Sequence, residues 1–425
     1  RDLRTGATLD RTDFVGVRAA AKLMNLGGFS LTGTYEYSKT NAPGFSILGA
    51  RTLVTARPTA VIDPDLNFRN DSRYGYVAIG EDTAFANLDG SLGFADLAAV
   101  FAYKVRNGAR TNEDLDHFLG FEGIGASDLT VSQTERFERT GAEIRLTSKA
   151  GSKVAWLLGV DWQHYTDTVS TINDGTTTVA TLRELATRSD FSTERSTSYS
   201  AFGNIEIPLL SSVFLSAEGR VQRDEKSFQF QRIDRVPTPT NSSIAPINLD
   251  QSETRFSPGA TLKWKFAPNA QTYFRFASAY RPAGFNIGTG VLTSIPYQAE
   301  VARGVELGLK LPVFRGLRAS LAAYYQHLAN AQIVTTVSAT DTTAVLQNIP
   351  EANYTGLELE LNGNWRLGPG RFTIDASAAT QGGNFGDGSK VIVNGVTYDV
   401  SNQRANRVRD FIGSFTATYD VQLGN

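Results

Sequence analysis

The chain of 425 residues has no cysteine, one methionine and three histidines. Without cysteine there are no disulfides, no thiolate metal sites and no thiol nucleophile. The histidines, His117, His164 and His327, are far apart, and no pair has the spacing of metal ligands. Charge of one sign is not in excess: 41 basic residues face 43 acidic ones, for a net charge of -2. That balance leaves no basic footprint for nucleic acid. Long apolar runs are missing too, and nothing approaches the roughly 18 residues that a membrane helix needs. A β-barrel escapes that exclusion, because its strands turn only alternate residues toward lipid. No D-x-[DN]-x-[DN]-G loop, nucleophile elbow or Ser-His-Asp grouping occurs.

What is present is alternation. In 212–226, Val213, Leu215, Ala217, Gly219 and Val221 fall on one side, and Ser216, Glu218, Arg220 and Gln222 on the other. Period two is the mark of a strand with unlike faces. The pattern returns about fifteen times. Strands are expected near 12–24, 29–39, 83–92, 95–106, 132–148, 153–167, 196–208, 213–226, 253–266, 271–280, 302–312, 317–332, 353–366, 371–381 and 407–421. Short turns such as Ala267-Pro268-Asn269 and Gly368-Pro369-Gly370 take turns with long polar loops such as 168–195, 227–250 and 382–405. Short connections at one end and long ones at the other are the plan of an outer-membrane barrel. The expected fold is therefore all-β, a transmembrane antiparallel β-barrel. Tyr35, Tyr37, Trp264, Phe266, Tyr324, Tyr325 and Trp365 collect near strand ends, as interfacial aromatic girdles do.

From residue 251 onward a strand pair leads into Tyr280-Arg281-Pro282-Ala283-Gly284-Phe285-Asn286. This run resembles the Y-R-P-G-G-F-N loop entrance of the TonB-dependent outer-membrane receptors, with Ala283 in place of a glycine. Tyr297, Glu300, Glu306, Gly308 and Lys310 resemble the next segment, though Gln298-Ala299 replace the usual proline before the glutamate. Tyr354–Leu361 matches a G-x-E strand, and weaker echoes lie in 137–148 and 212–224. The resemblance implies a barrel of roughly 22 strands around an N-terminal plug. It places residues 1–425 as part of that barrel, with the plug, about three strands and the TonB-binding box before Arg1 and about four strands after Asn425.

The same resemblance implies active, TonB-energised import of a scarce nutrient such as a ferric siderophore, with the outer-membrane lipid, lipopolysaccharide included, and the TonB complex as partners. A passive diffusion channel and a structural anchor for an envelope assembly are the alternatives. Recognition tends to live on loops, so Arg281, Phe285 and Asn286 are the candidate substrate contacts. The bland alternative is that Arg281-Pro282 anchors the loop at the rim. Glu358 and Glu360 share a strand face, which reads as the lining of a lumen rather than an acid/base pair. His164 and His327 read as polar positions near loop ends. Asp63, Asp65, Asp341 and Asp387 lie in expected loops without a calcium pattern. No catalytic residue, metal site or cofactor is expected, and the chain is not expected to be an enzyme.

Overall fold

The computed structural model describes residues 12–43, 76–114, 128–176, 187–235, 243–287, 291–336, 344–405 and 408–421. His117, Asp63, Asp65 and Asp341 lie outside them. In chain order the strands are β1 (Asp13–Leu26), β2 (Phe29–Pro43), β3 (Tyr76–Ser91), β4 (Ala95–Asp114), β5 (Asp128–Ser148), β6 (Ala155–Thr176) and β7 (Arg188–Pro208). They continue with β8 (Val213–Asp234), β9 (Ile244–Ala267), β10 (Ala270–Arg281), β11 (Gly284–Phe285), β12 (Pro296–Tyr297) and β13 (Glu300–Phe314). The last are β14 (Leu317–Thr336), β15 (Ala344–Leu367), β16 (Gly370–Phe385), β17 (Lys390–Val393), β18 (Val396–Asp399) and β19 (Phe411–Val421).

Fifteen of these strands form one antiparallel sheet in chain order, from β1 to β19, with β11–β12 and β17–β18 as separate two-stranded pairs. Each strand joins the next by an up-and-down hairpin, and a twisted sheet this wide curls on itself. Among the described residues, β1 pairs only with β2 and β19 only with β16.

The register makes the two faces continuous. Leu307 on β13 pairs with Ala323 on β14, Ala323 with Leu357 on β15, and Leu357 with Thr380 on β16. Phe256, Leu158 and Phe415 on this apolar face are 63%, 58% and 69% exposed. Exposed apolar surface on this scale has a place in lipid and none in water. The opposite face carries charge in pairs: Arg275–Glu218 at 2.9 Å, Lys263–Glu206 at 2.9 Å and Arg220–Asp161 at 2.8 Å. The apolar face is therefore the outside and the polar face the inside. Glu358 and Glu360 lie on the inside, paired in register with Ala322 and Ser320.

The short-turn end carries an aromatic cluster. Trp365 stacks near Phe314 at 6.0 Å and Phe372 at 6.1 Å, and its indole N–H donates to the Arg315 carbonyl at 3.0 Å. The turn beneath it needs Gly316, whose φ is +91°, and an added Cβ there would meet the Asn364 carbonyl at 2.6 Å. Tyr324 departs from the girdle expectation. Its neighbour Tyr325 faces outward, so Tyr324 faces in, where its ring lies against Gly356.

The fifteen strands of the main sheet follow the sequence reading, but the long-loop ends run further than expected. β7 starts at Arg188 instead of 196, β8 continues to Asp234, and β15 starts at Ala344. Beyond the lipid band both faces lose their contrast, so alternation stops marking a strand that continues. The expected loop 382–405 holds the β17–β18 hairpin, turned at Asn394 (φ +50°) and Gly395 (φ +79°). Asn-Gly between β-branched residues is a strong hairpin signal, and it lay in plain view.

Candidate functional site

β10 ends at Arg281, and between it and β13 the described residues 282–287 and 291–299 lie along the inner face. Their short strands pair as Gly284 with Tyr297 and Phe285 with Pro296. The Asn286 N–H donates to the Ile295 carbonyl at 2.6 Å. The wall beneath is prepared for this cover. Along inward positions of β8, Gln222, Asp224 and Lys226 give way to Phe228 and Phe230, which are buried with Phe285 and Ile295. The Phe285 ring stacks on Phe228 at 5.2 Å between centroids.

Amide side chains hold the other flank. Asn286 brackets the Leu346 backbone, donating to its carbonyl at 2.9 Å and accepting its N–H at 2.8 Å. Asn348 does the reverse from β15, accepting the Gln298 N–H at 2.7 Å and donating to its carbonyl at 2.9 Å. Gln332 donates to the carbonyls of Pro282 at 3.2 Å and Gln298 at 2.9 Å. The β17–β18 hairpin is fastened to β15 in the same way, with Gln347 bracketing Ile392 at 2.8 and 3.1 Å. Each bracket satisfies a peptide group that no strand ladder reaches.

Between segment and wall lies a cavity of about 430 Å³, lined by Lys226, Gln251, Glu253, Arg255, Tyr297 and Gln298, among others. Asp224 is buried and accepts hydrogen bonds from Ser198, Tyr280 and Gln222. Glu253 accepts from Arg255 at 3.0 Å and from the Ala283 N–H at 2.9 Å, tying the root of the segment to β9. Gly284 permits a close approach here: a Cβ on it would clash with the Tyr297 hydroxyl and come within 3.3 Å of Lys226 Nζ.

Burial, then the Glu194 carboxylate, pushes the Tyr297 phenol above its ordinary value, while Arg281 works against the shift. A raised value favours the neutral phenol in the fold. That stabilisation is therefore complete below about pH 10 and is lost as pH rises through the folded value. A difference ultraviolet titration of the wild type against Tyr297→Phe should show one phenol ionising later than an ordinary tyrosine. Ionisation at the ordinary value would contradict the buried placement.

The model of the family "TonB dependent receptor-like, beta-barrel" matches residues 21–425. The chain belongs to this family. The receptor barrel is accordingly a multi-pass β-barrel of the bacterial outer membrane. Its fold is similar to the ferric yersiniabactin uptake receptor FyuA from Yersinia pestis, at 15% identity and a TM-score of 0.73, covering 98% of this chain and 58% of that one. It is also similar to the siderophore receptor PiuA from Acinetobacter baumannii, at 17% identity and TM-score 0.64, covering 97% and 62%. The ferric-catecholate import receptor Fiu from E. coli K12 follows at 12% identity and TM-score 0.60, covering 97% and 62%. The chain thus spans about three fifths of the length of these receptors. No curated protein sequence matches it.

Of the sequence-derived candidates, the receptor barrel leaves Arg281 exposed at the foot of the segment, 3.9 Å from Glu300. Phe285 and Asn286 are 5% and 7% exposed and engage the wall. The other cavity residues escaped sequence reasoning. Lys226, Gln251 and Glu253 look like any inward polar residue of a strand, and only the fold of 282–299 makes them a cavity. His164 and His327 face outward, bonded through Nδ1 to Thr197 and Asn353, each at 2.9 Å. Asp387, the one calcium candidate among the described residues, accepts a hydrogen bond from Asn402 at 2.6 Å.

Proposed function

We propose that this chain is the barrel of an outer-membrane receptor that imports a scarce, bulky nutrient, of the ferric-siderophore kind, with energy supplied through TonB. It is a transporter and not an enzyme. The observation that carries this reading is the inward segment 282–299 enclosing a polar cavity on the lumenal wall. A diffusion channel gains nothing from a built recess beside its passage, whereas a receptor needs one. The names of FyuA, PiuA and Fiu, each a receptor for an iron carrier, point the same way. In this reading Arg281 offers its guanidinium to the ligand, while Phe285 and Asn286 hold the segment that shapes the cavity.

In this reading the chain is part of a barrel of about 22 strands around a plug that carries the TonB contact. The full-length gene should be deleted and uptake of labelled iron measured from a panel of siderophores, with and without TonB. Loss of uptake from one carrier, in the deletion and in the TonB-deficient strain alike, is expected. Unchanged ferric uptake, with TonB-independent entry of small sugars through the purified protein in liposomes, would establish the diffusion channel instead.

A further inference from the structure

Two unengaged donors meet in the cavity beneath the inward segment. Lys226 is half-buried on β8 and forms no ion pair among the described residues. The Tyr297 hydroxyl, on β12, makes no hydrogen bond among them either. Gly284 brings the two together. Having no Cβ, it leaves open a point that touches the Tyr297 hydroxyl and lies 3.3 Å from Lys226 Nζ. The ammonium and the phenol are thus close enough for one small anion to take both. Gln251 completes the group. Its Nε2 donates to the Gly284 carbonyl at 3.4 Å, and its Oε1 is buried without a partner among the described residues.

The carboxylates of the lining are already engaged. Asp224 accepts at both oxygens, from Ser198 and Gln222 at one and from Tyr280 and Gln222 at the other. Glu253 accepts from Arg255 at one oxygen and from the Ala283 N–H at the other. Asp250, in register with Ser227, alternates to the outward side of β9. A charged donor, a neutral donor and one acceptor are left facing the cavity. A carboxylate supplies the charge that Lys226 lacks and accepts from both donors at once. Hydroxamate and catecholate carriers commit their oxygens to iron, so a donor pair recessed in the wall suits a group that the metal leaves free.

We propose that Lys226 and Tyr297 bind a free carboxylate arm of the iron carrier, with Gln251 Oε1 receiving an O–H or N–H beside it, so that the receptor selects carboxylate-type carriers. The assignment rests on the import reading above and refines it. The test uses the full-length receptor purified in non-ionic detergent, with binding read as retained labelled iron. The probes are the ferric complexes of citrate, a bis-citryl diamine, a trihydroxamate and a tricatecholate. At least one of the two carboxylate complexes should bind, and Lys226→Met should weaken it about ten- to a hundredfold. Tyr297→Phe should weaken it about three- to tenfold. Lys226→Arg, which keeps the charge, should restore most of the binding. Heat-modifiable migration on gels verifies that each barrel is folded, and unchanged amide exchange over 284–287 and 291–298 verifies that the segment has not moved. Absence of binding by both carboxylate complexes overturns the proposal, as does wild-type affinity in Lys226→Met. An equal loss of tricatecholate binding in that variant overturns it too, since Lys226 would then act as a general positive charge. In the uptake experiment, entry of the hydroxamate or catecholate complex alone overturns this assignment and leaves TonB-driven import standing, whereas TonB-independent diffusion overturns the import reading itself.

Discussion

Phe285→Ala is expected to detach segment 282–299 from the wall while the sheet stays intact. The ring is almost fully buried and stacks on Phe228, itself 0% exposed, with Ile295 completing the cluster. Truncating a buried phenylalanine costs about 3–5 kcal/mol, as lost transfer energy and as a cavity. The segment contributes no strand to the main sheet, so the loss falls on its own opening equilibrium and not on the ladders. An opening free energy lowered by about 3 kcal/mol raises the open population about a hundredfold. Amide hydrogen exchange over 284–287 and 291–298 should accelerate accordingly, with amides of β13 and β14 unchanged. Ligand affinity should fall with it, since the cavity has the segment as one wall. Asn286→Ala should act in the same direction, because it leaves the Leu346 N–H and carbonyl without their bracket, at about 1–3 kcal/mol each where water does not replace it. Unchanged exchange in Phe285→Ala would mean that the segment is held by its amide brackets alone.

Arg232→Met is expected to destabilise the long-loop end of β7 and β8. Arg232 and Asp190 face each other in register, with side chains 3% and 9% exposed, and bond at 2.7 and 3.0 Å. Removing one member of a buried pair typically costs about 3–5 kcal/mol, because the other charge stays buried without its partner. Arg188 lies 3.2 Å from Asp190 and takes up part of that charge, so the low end of the range applies. Exchange of amides near 188–192 and 230–234 should rise, while the membrane band of the same strands keeps its protection. The double variant Asp190→Leu with Arg232→Met should recover part of the loss, since the buried pair is gone and only Arg188 is left without Asp190. If Arg232→Met exchanges as slowly as wild type, the pair contributes little and the strand ends are held by backbone ladders.

The legible and illegible parts of this protein divide by distance along the chain. Alternation is a local property, decided by whether each residue meets lipid or the polar interior, so Val213 to Val221 declared their strand unaided. The Asn394-Gly395 turn was legible for the same reason, being a local backbone demand. The ends of β7, β8 and β15 were not, because outside the bilayer their two faces meet similar surroundings. Phe228 and Phe230 broke the polar pattern of the inner face, and that break was the one local trace of the segment that covers them.

By itself, then, the sequence determined the all-β class, the number of strands in the main sheet and which face meets lipid, since each rests on neighbours two residues apart. Tertiary structure decided the rest. Asn286 finds Leu346 across 60 residues, and Asn348 finds Gln298 across 50. Those meetings follow from the register of β10, β13, β14 and β15 together, which no single stretch of chain encodes.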